Sequence, residues 1–163
     1  MSVPSVPVLI VPVDPNLSGR EHGVYTVRRG ADPFIPSDPF EGLIALPGGF
    51  QIHNRLRTPQ VHETWQQGGT RETEEEIQVH CDPDAVEHVL TESSYSERAV
   101  GDRNLIFGKV PRALTVEDFV PSQESIERVV LYPDDQEQLC FSIHRKALAM
   151  YWDSLGVTHN VQL

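Results

Sequence analysis

The chain reads as an α/β unit, a mixed sheet flanked by helices. Three features point there. Apolar, β-branched runs stand both before and after one glutamate-rich helical segment; an amphipathic segment near the end forms a second helix; and no internal repeat or linker divides the chain. Its 163 residues, 39% of them apolar, suit a single domain over 1–163 with one sizeable core.

The elements follow in order. Residues 6–13 are an apolar run that reads as a strand, closed by Asp14-Pro15-Asn16 and Ser18-Gly19, both turn chemistry. Residues 24–27 form a second strand flowing into Arg28-Arg29-Gly30, and a Pro-rich loop covers 32–41. Residues 43–46 are a short strand stopped by Pro47-Gly48-Gly49. The polar, aperiodic stretch 51–60 reads as loop, with Thr58-Pro59 leading toward a helix over 63–78. Asp82-Pro83-Asp84 is a turn, strands are expected at 86–91, 103–110 and 126–131, and an amphipathic helix at 139–152.

Twenty-four acidic against thirteen basic residues leave a net charge of −11, which repels phosphate at long range. Broad binding to nucleic acid or to an anionic membrane is therefore not expected, although a bound cation can still recruit a phosphate locally. Cys81 and Cys140 match no zinc or redox spacing and read as idle thiols. The first residues lack a basic start followed by an apolar stretch, and no apolar run is long enough to span a bilayer. A soluble, cytoplasmic protein is expected.

The chemistry lies between Leu46 and Val79. On a helix, residues three and four apart share a face, so Glu72, Glu75 and Glu76 crowd one patch. Like charges at that spacing destabilise a helix unless something offsets them; a hard divalent cation with oxygen ligands would. A bare run such as Glu74-Glu75-Glu76 is ordinarily a solvated face. Here Gly68 and Gly69 sit inside the helix, where each costs about 0.8–1 kcal/mol relative to Ala, which implies close packing against another backbone. The Pro47-Gly48-Gly49 turn can also bring backbone amides close to a ligand.

This stretch resembles the Nudix box, Gly-x5-Glu-x7-Arg-Glu-U-x-Glu-Glu-x-Gly-U, with U aliphatic. Gly49 matches the opening glycine, and Glu63, Arg71-Glu72, Glu75-Glu76 and Val79 fall in register. The approach through Val27-Arg28-Arg29-Gly30, Pro33-Phe34 and Ala45-Leu46-Pro47-Gly48-Gly49-Phe50 is similar to ADP-ribose pyrophosphatase-like members. Three departures stand out. Thirteen residues separate Gly49 from Glu63 where the pattern has five, so 52–59 belongs to an insertion that edges the pocket. Gln78 replaces the glycine after the helix, where a left-handed cap is less comfortable. Thr73 replaces an aliphatic residue and weakens helix packing slightly.

The resemblance implies a Nudix-type α/β/α sandwich and a pyrophosphohydrolase. Water would attack one phosphorus of a diphosphate bridge in a nucleoside diphosphate linked to another group. It implies Mg²⁺ or Mn²⁺ on Glu72, Glu75 and Glu76, with Glu72 and Glu76 favoured, and the Gly48–Gly49 backbone binding metal or phosphate. Arg71 would orient the carboxylates, and Glu63 would support helix and loop. A further acid from a later loop is common in the family, and Glu124 and Glu127 are the candidates here. Arg28 and Arg29 are candidates for phosphate or ribose, or else solvated strand-end arginines. His53 and His62 flank the insertion and read as idle; Tyr95 and Phe107 could stack on a base but suit the core better; His144-Arg145 has no assigned role. The expected partner is a small nucleotide substrate, and the resemblance also raises a homodimer. Two alternatives remain: hydrolysis of nucleoside triphosphates or dinucleoside polyphosphates, and a Nudix-fold ligand sensor without turnover.

Overall fold

The apolar run near the start of the chain becomes the centre of the molecule because it is buried on both faces. The computed structural model describes residues 5–32, 35–54, 61–95 and 102–163. Strand β1, Ser5–Ile10, sends Val8 and Ile10 into one core and Leu9 and Val11 into another. Alternation along a strand sends successive side chains to opposite faces, so a two-sided core demands a continuous apolar run.

Four more strands come before the first helix. β2 is Val24–Arg29, and the two-residue strand β3 is Ile44–Ala45. A short antiparallel pair, β4 (His53–Asn54) and β5 (Val61–His62), follows where an unstructured loop is expected. The insertion thus leaves and returns through paired backbone; residues 55–60, including Thr58 and Pro59, lie outside the described residues, as do Pro33 and Phe34.

Helix α1, Trp65–Ile77, starts two residues later than the expected Glu63 because Thr64 caps it. The Thr64 hydroxyl accepts from the Gln67 amide at 3.1 Å, and the Gln67 side chain accepts from the Thr64 amide at 2.9 Å. Its buried stripe is Gly68, Gly69, Thr70, Thr73 and Ile77. The glycines are there for packing, as expected, but the neighbours are chiefly side chains of β1. A Cβ on Gly69 would stand 3.1 Å from Leu9, and one on Gly68 3.1 Å from Pro7. Thr73 is fully buried and donates its hydroxyl to the Gly69 carbonyl at 2.7 Å, which satisfies the polar atom a methyl would lack. Gln78 ends the helix in the left-handed region at φ 53°. Its side chain compensates by accepting from the Val120 amide at 2.7 Å and donating to the Glu75 carbonyl at 3.2 Å.

The remaining strands are β6 (Val79–His80), β7 (Glu87–Tyr95), β8 (Asp102–Lys109), β9 (Thr115–Val116) and β10 (Ser125–Leu131). β7 runs four residues past its expected end, since Glu92 to Tyr95 pair with β8 across an antiparallel register. Polar residues hide this extension from a hydrophobicity reading. Helix α2, Ser142–Ser154, begins later than the expected 139, with Leu139 buried and Cys140 half-buried ahead of it.

One sheet runs β1-β8-β7, with β1 parallel to β8; a second runs β10-β2-β3. Antiparallel bridges Val8–Gly48 and Pro12–Val24 join β1 to the second sheet. Helix α1 packs on the core of Leu9, Val11, Val27 and Ile77, and α2 on that of Val8, Ile44, Phe107, Leu148 and Trp152. The result is the expected α/β sandwich, two helices covering opposite faces of mixed sheets.

Candidate active site

The Pro47-Gly48-Gly49 turn lies where β1 and the second sheet separate. The Leu9 amide donates to the Pro47 carbonyl and the Gly49 amide to the Pro7 carbonyl, at 3.0 and 3.2 Å. Gly48 has no room for a side chain there, and one on Gly49 would displace the Glu72 carboxylate. A Cβ on Gly48 would lie 2.5 Å from the Pro7 carbonyl oxygen, and one on Gly49 2.4 Å from Cδ of Glu72. The turn is therefore pressed against both β1 and the carboxylate-bearing face of α1.

Glu76 meets the turn directly, accepting a hydrogen bond from the Gly48 amide at 3.1 Å. Its carboxyl is held well above the usual carboxylate range, chiefly by burial, then by the negative charges of Glu72 and Glu124; the Gly48 amide works the other way. Glu72 is also raised, first by burial, against the opposing pull of Arg71. Arg71 is the hub of the α1 face. It donates to Glu63 at 2.8 Å, Glu72 at 2.9 Å, Glu75 at 3.1 Å and the Phe50 carbonyl at 2.9 Å. Glu63 in turn accepts from the Ile52 amide at 2.8 Å, so it ties the helix to the start of the insertion.

A cavity of about 600 Å³ opens beside this face, within the size range of ligand pockets. Glu72, Glu76, Gly48, Gly49 and Glu124 line one part of it, and Arg29, Phe40, Phe141 and His144 another. Glu124 arrives from the turn before β10, which the Gly30 amide pins by donating to the Glu124 carbonyl at 2.8 Å. Gly30 has to be glycine, because a Cβ there would fall 2.0 Å from the Gln123 carbonyl oxygen.

The expected residues divide. Glu72, Glu76, Gly48, Gly49, Arg29 and Glu124 come together at the cavity. Glu75 does not line it; its exposed carboxylate is turned to Arg71. Arg28 and Glu127 do not either. They pair with one another at 2.9 Å, and Arg28 also holds Glu137 and the Gly42 carbonyl. Strand alternation explains this: Arg28 and Arg29 leave β2 on opposite faces, and only one faces the cavity. Phe107 is fully buried in the core, as its better-suited reading has it. The side chains of His53 and Tyr95 lie outside the described residues. Burial pushes the thiols of Cys81 and Cys140 up to about 12 and 11.

The cavity also takes in His144, to which sequence reasoning assigns no role, and Arg103, which it does not single out. His144 Nδ1 accepts from the Leu46 amide at 3.2 Å, just ahead of the glycine turn. Burial, with help from the Arg29 charge, pushes its pKa down to about 3, so it stays neutral. Arg29 itself pairs with the buried Asp38 at 3.1 Å and lies 5.3 Å from the Phe141 ring centre. No local signal marks His144, since its partner is 98 positions away.

Among the described residues, no three His, Cys, Asp or Glu side chains stand in ready-made ligand geometry. The donor set nevertheless suits a hard cation. Two carboxyls on adjacent turns are desolvated and mutually repelling, and Glu76 has a single amide donor to offset burial.

No family model matches the chain in sequence, and no curated protein does. Solved structures do match it in fold. A MutT NUDIX hydrolase from Burkholderia pseudomallei superposes with a TM-score of 0.67 at 14% identity, over 92% of this chain and 98% of that one. A NUDIX hydrolase from Nitrosomonas europaea gives 0.68 at 8% identity, over 94% and 91%. The NUDIX domain of Shewanella oneidensis NrtR, solved with ADP ribose, gives 0.63 at 18% identity, over 95% and 90%.

Proposed function

On this Nudix fold, we propose that the chain is a divalent-cation-dependent hydrolase of nucleoside diphosphates linked to a second group. The observation that carries the reading is the meeting of Glu72, Glu76 and Glu124 with the Gly48-Gly49 backbone in one nucleotide-sized cavity. Glu72 and Glu76, with the Gly49 backbone beside them, would hold Mg²⁺ or Mn²⁺. The ion, when bound, polarises the phosphoryl oxygens and lowers the pKa of attacking water.

The chain's own groups do the rest. The Gly48 amide orients Glu76, and Arg71 holds Glu72 against the turn. Glu124 lines the same cavity and would take the proton as water adds to phosphorus. The bond from that phosphorus to the bridging oxygen breaks, and the bridging oxygen leaves with the second phosphate. Products are a nucleoside monophosphate and the phosphorylated second group. Glu75 and Glu63 act through Arg71.

The cavity size and the aromatic rings of Phe40 and Phe141 favour a substrate with a base or a second ring system, such as ADP-ribose, a dinucleotide or a nucleotide sugar. The ADP ribose bound by the Shewanella domain supports that class. We further propose a single cytoplasmic domain over 1–163; among the described residues, no helix is long and apolar enough to cross a membrane.

The test is release of phosphorylated products from a panel containing ADP-ribose, NADH, diadenosine polyphosphates, nucleotide sugars and nucleoside triphosphates, with Mg²⁺ or Mn²⁺ and an EDTA control. Metal-dependent cleavage of the linked diphosphates is expected. Binding of a nucleotide without any product would replace the hydrolase with a sensor.

A further inference from the structure

The cavity holds a second arginine, Arg103, with no carboxylate partner among the described residues. Arg29 and Arg103 both line it, but Arg29 is paired with Asp38. Arg103 carries no ion pair among the described residues; its one contact of note is the Phe50 ring, 4.7 Å from the guanidinium carbon. Arg20, Arg112, Arg128 and Arg145 also make no ion pair among the described residues, but none of them lines this cavity. Burial also lowers the pKa of Arg103, although its guanidinium stays charged.

Strand geometry sets the direction. On β8, Arg103 and Leu105 both line the cavity, while Phe107 continues the same face down to the His144 ring, 5.4 Å between centres. The opposite face meets α1: a Cβ on Gly108 would lie 2.7 Å from the Trp65 ring. Phe50 follows the glycine turn directly, and its carbonyl accepts from Arg71. The loop that positions the carboxylates therefore also carries the ring that stacks on Arg103. Stacking through the guanidinium face leaves the N–H edge free, and that edge matches a phosphate with two parallel hydrogen bonds.

We infer that Arg103, stacked on Phe50, binds a phosphate of the substrate in the cavity it shares with Glu72 and Glu76. This rests on the hydrolase reading above for the identity of the ligand but not for the binding itself. An anionic substrate entering among Glu72, Glu76 and Glu124 meets repulsion, and Arg103 offsets it at the substrate rather than at the metal. Arg103 is a binding and positioning residue; it takes no part in the proton transfer.

The test is calorimetric titration of inorganic pyrophosphate in the presence of Mg²⁺, on the wild type, Arg103→Gln and Arg103→Lys. Titration of Mg²⁺ alone serves as the control. Arg103→Gln is expected to weaken pyrophosphate binding roughly tenfold or more, the scale of a charge-assisted bond, with Mg²⁺ affinity unchanged. Arg103→Lys, which keeps the charge and loses the planar fork, is expected to recover part of the loss. Equal pyrophosphate affinity in the wild type and Arg103→Gln would overturn the inference. So would a parallel loss of Mg²⁺ affinity, which would make the arginine a support for the pocket's shape. Arg103-dependent pyrophosphate binding in a chain that cleaves none of the diphosphate panel would leave this inference standing and remove the hydrolase.

Discussion

Glu76 and His144 stand on either side of the glycine turn, and burial disfavours the charged form of each, with opposite consequences for pH. For Glu76, burial and two neighbouring carboxylates raise the folded-state pKa above its ordinary 4.5. The folded protein then holds a proton that the unfolded chain has released, so this group's contribution is present at low pH and is lost as pH rises above 4.5 toward the folded value. Without a divalent cation, Glu76→Gln should melt higher than the wild type at neutral pH and lose part of this slope. The same variant should hydrolyse roughly 10²-fold more slowly or worse. Wild-type turnover in it would remove Glu76 from the site. For His144 the sign reverses. Its folded pKa of about 3 lies below the ordinary 6.5, so the unfolded chain takes up the proton first. Stability is lost as pH falls from 6.5 toward 3, by up to about 1.4 kcal/mol per unit for one group. His144→Gln should flatten that acid limb in a melting series. The two effects oppose each other between pH 4.5 and 6.5, so each variant is compared with the wild type at matched pH.

At the scale of elements, the site depends on how closely α1 and the glycine turn approach β1. Gly49→Ala tests the approach. The new methyl would stand 2.4 Å from Cδ of Glu72, the far end of a flexible side chain, so Glu72 can swing aside at little cost to the fold. Turnover and Mg²⁺ affinity should both fall while the melting temperature barely moves; an active Gly49→Ala would show that Glu72 need not lie against the turn. Thr64→Ala tests the helix itself. It removes the hydroxyl that caps the first turn and should cost about 1 kcal/mol in a denaturant melt. The helix was legible because its carboxylate spacing and glycines are local; its Thr64 cap escapes that reading, so its start is expected two residues early. The β4–β5 pair was not, because its two strands are only two residues long and their pairing rests on backbone bonds rather than on an apolar pattern.

At the scale of the molecule, the cavity gathers residues from β2, the glycine turn, α1, β8, the turn before β10 and α2, so a ligand there clamps both sheets together. A divalent cation that binds only the folded chain should stabilise it by about 2.7 kcal/mol at a hundred times its dissociation constant. Thermal melts with Mg²⁺ or Mn²⁺ should shift upward and return with EDTA, and Glu76→Gln should lose most of the shift. An unchanged melt in the wild type would count against a cation on Glu72 and Glu76.

The sequence by itself determined what depends on near neighbours along the chain. A strand buried on both faces follows from an unbroken apolar run, and the spacing of Glu72 and Glu76 places them on adjacent turns of one helix. Gln78 could be read as an awkward left-handed cap, and it is one. Tertiary structure decided which side chains face those carboxylates. Arg28 and Arg29 look alike in sequence, yet strand alternation and the pairing of β2 with β10 send one to Glu127 and the other to the cavity. Glu124, Arg103 and His144 reach the site through pairings and packing across tens of residues, which leave no periodic trace. A lone arginine on a strand carries no local mark of its role; its place in the cavity lining, stacked on Phe50, does.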